Sequence, residues 1–272
     1  MNAAFDTGAY TSFRFDTLDG GAILRIAITS PRSALNAVDE TLHAELAALF
    51  AALRQLDDPA LRAIILTGNG VAFSAGGDFG WLAELRGTGR LAALRRDARA
   101  MIWDLLDIEV PVIAAVDGPA VGLGASIALL CDMVVAAESA RFSDPHVRVG
   151  LVAGDGGAVI WPLAVGPAVA KRYLLTGDPL TAAEAHRIGL VSDLVDDAEL
   201  AERALALARS VAGLPPLAVR LTKAAVNKGI RQQMETVFDY ATALELTTFQ
   251  SADHAEAMAA IRDHRTPTFG GS

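Results

Sequence analysis

Val112-Ile-Ala-Ala-Val-Asp-Gly-Pro-Ala-Val-Gly-Leu-Gly-Ala-Ser-Ile-Ala-Leu-Leu-Cys-Asp132 is the stretch on which the fold turns. Its opening residues are apolar at consecutive positions. With Pro111 they predict a strand, Pro111–Val116, buried on both faces. Asp117-Gly118-Pro119 interrupts that strand, and Gly124–Cys131 predicts a helix. Strand, glycine-rich turn and helix in succession are the units of an α/β protein. Gly122-x-Gly124 is not a dinucleotide fingerprint, because the third glycine is missing and Gly118-Pro119 does not suit a phosphate turn. No P-loop is present.

Similar apolar runs flank this stretch. Ile23–Thr29, Leu61–Thr67 and Met133–Ala137 predict further strands. Between the first two, Leu42, Leu46, Leu49, Phe50, Leu53 and Leu56 form one helical stripe, predicting a helix from about Val38 to Leu56. Asn36 is the expected N-cap, Asp39 and Glu40 fall in the first turn, and Asp57-Asp58-Pro59 ends the helix. Asp97–Leu106 also predicts a helix. Thr181-Ala-Ala-Glu184 is a capping box opening a short helix that ends at Gly189. Beyond residue 197 strand signals vanish, and Ala198–Ala212, Leu217–Gly229, Met234–Thr248 and His254–Asp263 all predict helices. The chain therefore divides into an α/β core, 1–196, and a helical region, 197–272, with Ser210–Pro216 as the expected hinge.

Composition narrows the function classes. With 272 residues, 52% hydrophobic and 20% charged, the chain can bury a sizeable core and is not a disordered tail. A net charge of −9 without a basic stripe argues against nucleic acid and anionic membranes as partners. The longest apolar stretch, between Asp117 and Asp132, falls short of the roughly 20 residues of a spanning helix. The N-terminus MNAAFDTGAY has no basic n-region and no apolar h-region, so no signal peptide is expected. Cys131 stands alone, which excludes an internal disulfide and suits a reducing, cytoplasmic setting.

Glycine-rich segments follow the strands at Ala72–Asp78, Gly118–Gly124 and Gly150–Gly157. Two such turns side by side could aim two backbone N–H groups at one carbonyl oxygen, an oxyanion hole. Here a resemblance becomes specific. Phe73-Ser-Ala-Gly-Gly-Asp-Phe79 resembles the FxAGxD segment of the crotonase superfamily, that of the enoyl-CoA hydratases and isomerases. Val112–Asp132 is similar to its second signature. Ala140-Arg-Phe142, Gly150-Leu-Val152 and Gly156-Gly157 follow in family order. Ser33-Ala-Leu-Asn-Ala37 resembles the early PxxxNA segment, and Ile261–Gly271 is similar to the FxEKRxPxFxG ending.

The resemblance implies an α/β spiral of repeated β-β-α turns with a C-terminal helical trimerisation region, assembled as a homotrimer or hexamer (dimer of trimers). It implies an acyl-CoA substrate, with coenzyme A as part of that substrate and no separate cofactor. The oxyanion donors carry over to the backbone N–H groups of Gly77 and Leu123. Substrate and CoA contacts carry over to Ala37, Ala75, Asp78, Phe79, Arg265 and Phe269; an arginine suits CoA phosphate.

Hydratases of the main type use two glutamates, and this chain has Ser126 and His146 in their places. His146 is a candidate general base at neutral pH. Asp155 reads either as an N-cap for a helix Gly156–Leu163 or as a carboxylate that orients His146 or itself acts as the acid. With Ala153-Gly-Asp-Gly156, the His146/Asp155 pair resembles that of 6-oxocamphor hydrolase, a crotonase relative that cleaves a carbon–carbon bond. Ser126 either holds a substrate group or water, or bonds back to a helix carbonyl. Phe79, Trp81 and Trp103 are candidates for the acyl pocket or for the core. No Cys/His/carboxylate cluster has metal-ligand spacing, so no metal is expected. Hydration or isomerisation of an enoyl-CoA is the first expectation. Hydrolytic cleavage of a β-diketone or β-keto-CoA, with His146 as base, is the second. A catalytically inactive CoA-binding scaffold is the third, and His146 is what separates it from the other two.

Overall fold

The computed structural model describes residues 6–85 and 89–271. Six strands form the main sheet: β1 (Phe13–Leu18), β2 (Ile23–Ile28), β3 (Ala63–Thr67), β4 (Val112–Val116), β6 (Met133–Ala137) and β9 (Asp193–Val195), in the order β1-β2-β3-β4-β6-β9. Only the β1–β2 pair is antiparallel. A second sheet runs β5-β7-β8, with β5 at Pro119–Val121, β7 at Arg141–Ser143 and β8 at Leu180–Thr181. Isolated bridges Val38↔Gly77 and Ser74↔Ala120 extend this inner layer toward the N-terminus.

Each turn of the chain places one strand in the main sheet and the next in the inner layer, then adds a helix. Strands β4 and β5 lead into α4 (Leu123–Leu130), and β6 and β7 lead toward α5 (Gly157–Leu174). That is the expected spiral of β-β-α units. One face of the main sheet packs on α1 (Glu40–Gln55) and α3 (Arg90–Asp107) through Leu24, Ile26, Ile64, Leu66, Leu46, Phe50 and Met101. Ile23, Ile65, Ile113 and Val135 point the other way, onto Leu200, Ala204 and Ala208 of α7 (Leu200–Ala212). Consecutive apolar runs were thus the right sign of strands covered on both faces.

Several expectations change. Asn36 caps no helix; Asp39 does, accepting from the Leu42 N–H at 2.9 Å. Asn36 instead has φ +52 and is fully buried. Its amide donates to Ile28 O at 3.0 Å and Ala72 O at 2.9 Å and accepts from Ser30 N at 2.9 Å, tying β2 to the segment that carries Gly77. The two helices expected across 217–248 are one, α8 (Pro216–Phe249). Asn227 donates to Leu106 O at 2.9 Å, Arg231 pairs with Asp107, and Met234 and Phe238 are buried. Packing on α3 therefore carries the helix through Gly229. The inner strands β5, β7 and β8 and the edge strand β9 went unpredicted because two or three residues carry too little periodicity, and β1 (FRFDTL) because its apolar residues are interrupted by charged ones. Within 210–216, where a hinge was expected, the chain bends by 108° between the 197–212 and 216–249 segments. The helices α2 (Phe79–Leu85), α6 (Ala182–Arg187) and α9 (Ala252–Arg262) complete the chain. Among the described residues no single helix is long and apolar enough to cross a membrane.

Candidate active site

Val38 bridges to Gly77 by donating to Gly76 O at 2.7 Å and accepting from Asp78 N at 2.9 Å. That ladder skips the Gly77 N–H. Leu123 is the first residue of α4, where an N–H has no acceptor within the helix. Among the described residues neither N–H has a backbone partner. The two turns are in close contact. A Cβ on Gly76 (φ +78) would stand 2.7 Å from Val121 O, and one on Gly124 would stand 2.7 Å from Ser74 Cβ. Gly77 and Leu123 line one cavity, walled by apolar residues such as Val38, Leu82, Leu151 and Phe249.

His146, Asp155 and Glu245 line the same cavity. His146 opens a 3-10 turn, His146–Val149, just after β7. Its Nδ1 lies 2.5 Å from Asp144 Oδ1. Its Nε2 lies 3.4 Å from Asp155 Oδ2 and 3.8 Å from Glu245 Oε1. So His146 and Asp155, separated along the chain, meet in space. Gly156, not Asp155, is the N-cap residue of α5, although the Asp155 carboxylate does accept from the Gly157 N–H at the start of that helix. Asp155 also accepts from the Ser126 hydroxyl at 3.2 Å. Ser126 is fully buried and lines no part of the cavity, so it holds Asp155 rather than a helix carbonyl.

The glycines of 150–157 make room for carboxylates. A Cβ on Gly157 would come within 1.9 Å of Asp144 Oδ2, and one on Gly154 within 2.4 Å of Glu245 Oε2. Burial drives the cluster's electrostatics. On its own it would lower the His146 pKa, but Asp144 first, then Asp155 and Glu245, raise it well above the ordinary histidine range. Asp155 is pushed up, chiefly by burial and against the pull of His146. Burial also pushes Glu245 up, to about 8, in spite of His146. The carboxylates thus favour the protonated imidazole, and burial favours the neutral carboxyl of Glu245, both lining the cavity.

A second chamber shares Gly77, Leu82, His146 and Leu151 with the first and opens outward past Ala75, Phe79 and Arg265. Phe79 is half exposed. Arg265 is engaged by Glu256, with contacts at 2.5 and 2.8 Å. Ala37, Asp78 and Phe269 line neither chamber. Ala37 donates to Ser33 Oγ, Asp78 accepts from the Trp81 N–H at 2.8 Å, and Phe269 is exposed. Trp81 lines the inner cavity, whereas Trp103 packs edge-on against Phe238 beneath Arg99 and belongs to the core. Cys131 is buried, its thiol pushed up by burial.

Asp144 and Glu245 were not anticipated. Glu245 shares a buried face with Phe238, Thr242 and Phe249, but nothing local says that α8 reaches His146. Asp144, His146 and Asp155 offer ligand atoms within 4.8 Å of one another, a grouping that could hold a metal ion and that sequence spacing did not predict. The 2.5 Å contact of His146 with Asp144 is a hydrogen bond.

A family model described as enoyl-CoA hydratase/isomerase matches residues 19–272. A probable enoyl-CoA hydratase of Mycobacterium tuberculosis is 36% identical over 244 residues, covering 90% of this chain and 93% of the relative. The crystal structure of an enoyl-CoA hydratase/isomerase from Mycobacterium paratuberculosis superposes with a TM-score of 0.85 at 41% identity, covering 92% of this chain and 98% of that one. A β-diketone hydrolase from Anabaena, solved with (S)-3-oxocyclohexyl acetic acid, gives a TM-score of 0.82 at 32% identity, covering 89% and 96%.

Proposed function

Because the chain belongs to the enoyl-CoA hydratase/isomerase family, we propose that it is an enzyme on an acyl-CoA thioester, adding water at the β-carbon. The thioester oxygen lies against the N–H groups of Gly77 and Leu123, which stabilise the enolate formed next to it. Each such donor is worth about 3–4 kcal/mol when removed. The observation that carries this reading is one cavity lined both by Gly77 and Leu123, whose N–H groups have no backbone partner among the described residues, and by a buried His146–carboxylate cluster.

The geometry favours a β-keto thioester. The proton acceptor is the coupled His146–Asp155–Glu245 unit rather than the imidazole alone. Water loses a proton into that unit and bonds to the β-carbonyl carbon. The β-oxygen becomes an oxyanion beside the imidazolium and the Glu245 acid, two donors that an alkene would not need. The Cα–Cβ bond then breaks, its electron pair enters the thioester enolate, and Glu245 returns a proton to Cα. The products are a carboxylic acid and a shortened acyl-CoA. The likeness to the β-diketone hydrolase supports this reading. Hydration of an enoyl-CoA is the second reading, favoured by the relatives named as hydratases. It uses the same groups, with hydroxyl to Cβ and proton to Cα.

The CoA arm leaves through the outer chamber, where Arg265 exchanges Glu256 for a phosphate. No cofactor beyond the CoA moiety is required. Exposed Leu214, Leu217, Leu221 and Val226, at the start of α8 and just before it, suit assembly as a trimer or a pair of trimers, in the cytoplasm. The test is to incubate the protein separately with a β-ketoacyl-CoA and an enoyl-CoA and weigh the products. Chain-shortened acyl-CoA from the first supports cleavage. A 3-hydroxyacyl-CoA from the second alone moves the assignment to hydration. No turnover of either supports an inactive CoA-binding scaffold.

A further inference from the structure

The inner cavity has a polar corner that this chemistry does not use. His43 on α1 and Trp81 on α2 both line it, with ring centroids 5.5 Å apart. His43 is 5% exposed, and no hydrogen bond to its ring is found among the described residues. The Trp81 indole N–H is buried and has no partner among the described residues. Val38, Leu82, Leu94 and Ala98 line the same cavity with apolar side chains, and Arg95 lines it too. A pocket for a plain alkyl chain would be served by leucine or phenylalanine at both positions. A polar group buried without a partner is costly and rare, so an unpartnered indole N–H beside a histidine ring that makes no hydrogen bond, both lining one cavity, points to a ligand that satisfies them. Burial holds the His43 imidazole at about 4, outweighing the opposing effect of Asp97. The ring is therefore neutral at physiological pH and offers one N–H and one lone pair.

We propose that His43 and Trp81 form a subsite for an oxygen function, ketone or hydroxyl, carried by the acyl group apart from the thioester and β-oxygens. The substrate is then an oxygenated acyl-CoA rather than a simple fatty acyl-CoA. Indole N–H can only donate, so the group it meets is an acceptor. A site built to hydrogen-bond an oxygen discriminates strongly against the analogue that lacks it, because its own groups are then left unpaired. This inference rests on the acyl-CoA reading above.

The test uses two saturated thioesters that cannot turn over, cyclohexylacetyl-CoA and 3-oxocyclohexylacetyl-CoA, titrated calorimetrically into the full chain. The expected result is at least tenfold tighter binding of the oxo compound, with that ratio falling at least threefold in both His43→Phe and Trp81→Phe. Equal affinity of the two thioesters overturns the subsite and leaves the acyl-CoA reading standing. A preference that survives both substitutions overturns its assignment to these residues. Binding of neither thioester overturns the acyl-CoA reading, and the subsite with it. Thermal melts establish that each variant is folded. Should one fail, the wild-type ratio and the other variant decide.

Discussion

Glu245 concentrates the tension between stability and chemistry. Burial holds its carboxyl at about 8, against an ordinary value of 4.5. Between those values the unfolded chain has released a proton that the folded chain still holds, so this group's contribution to stability falls as pH rises through the window. Glu245→Gln removes that slope. Melts at pH 5 and pH 9 should show the variant gaining on the wild type at the higher pH by on the order of a few kcal/mol. Turnover should move the opposite way, falling in the variant at every pH because Cα loses its proton donor. In the wild type, kcat should decline above about pH 8. Gly157→Ala tests the opposite end of His146. The new methyl would displace Asp144, on which the Nδ1 contact depends, and kcat/KM should drop about 100-fold. Gly77, Leu123 and His146 could be placed from the sequence because each lies inside a short local motif. Asp144 and Glu245 could not. One is an unremarked carboxylate before Pro145. The other faces its partner only because α8 folds back across the cavity.

At the scale of helices and strands, long apolar periodicity was reliable and short or polar segments were not. α1 and strands β2, β3, β4 and β6 sit within a few residues of their predicted limits. The break assumed in α8 came from Gly229 and its polar neighbours, and contacts to the end of α3 override it. Gly229 is exposed, and a Cβ there would meet nothing within 4 Å. Gly229→Ala should therefore stabilise the protein by up to about 1 kcal/mol, read as a higher melting temperature with unchanged circular dichroism. Asn36, expected as a helix cap, shows the converse error. Asparagine favours caps and the left-handed region for related reasons, and local sequence does not say which applies. Asn36→Ala leaves the buried carbonyls of Ile28 and Ala72 without that donor. It should cost on the order of 2 kcal/mol and loosen the segment that carries Gly77.

Across the molecule, the spiral brings segments distant in sequence to one cavity. The first two turns supply the N–H donors, the 3-10 turn and the start of α5 supply His146 and Asp155, and α8 closes the cavity with Glu245. The apolar residues that α8 leaves exposed predict assembly. Sedimentation should give a mass near three or six chains. Leu217→Glu with Leu221→Glu should shift it toward one chain, since charge at an apolar contact is costly to bury. The most direct test of the account is turnover of a β-ketoacyl-CoA in water enriched in ¹⁸O. Cleavage through water addition at the β-carbonyl predicts ¹⁸O in the released carboxylic acid and none in the shortened acyl-CoA. Release of free CoA with ¹⁸O in an acid of the original chain length would contradict it, because water would then have attacked the thioester itself.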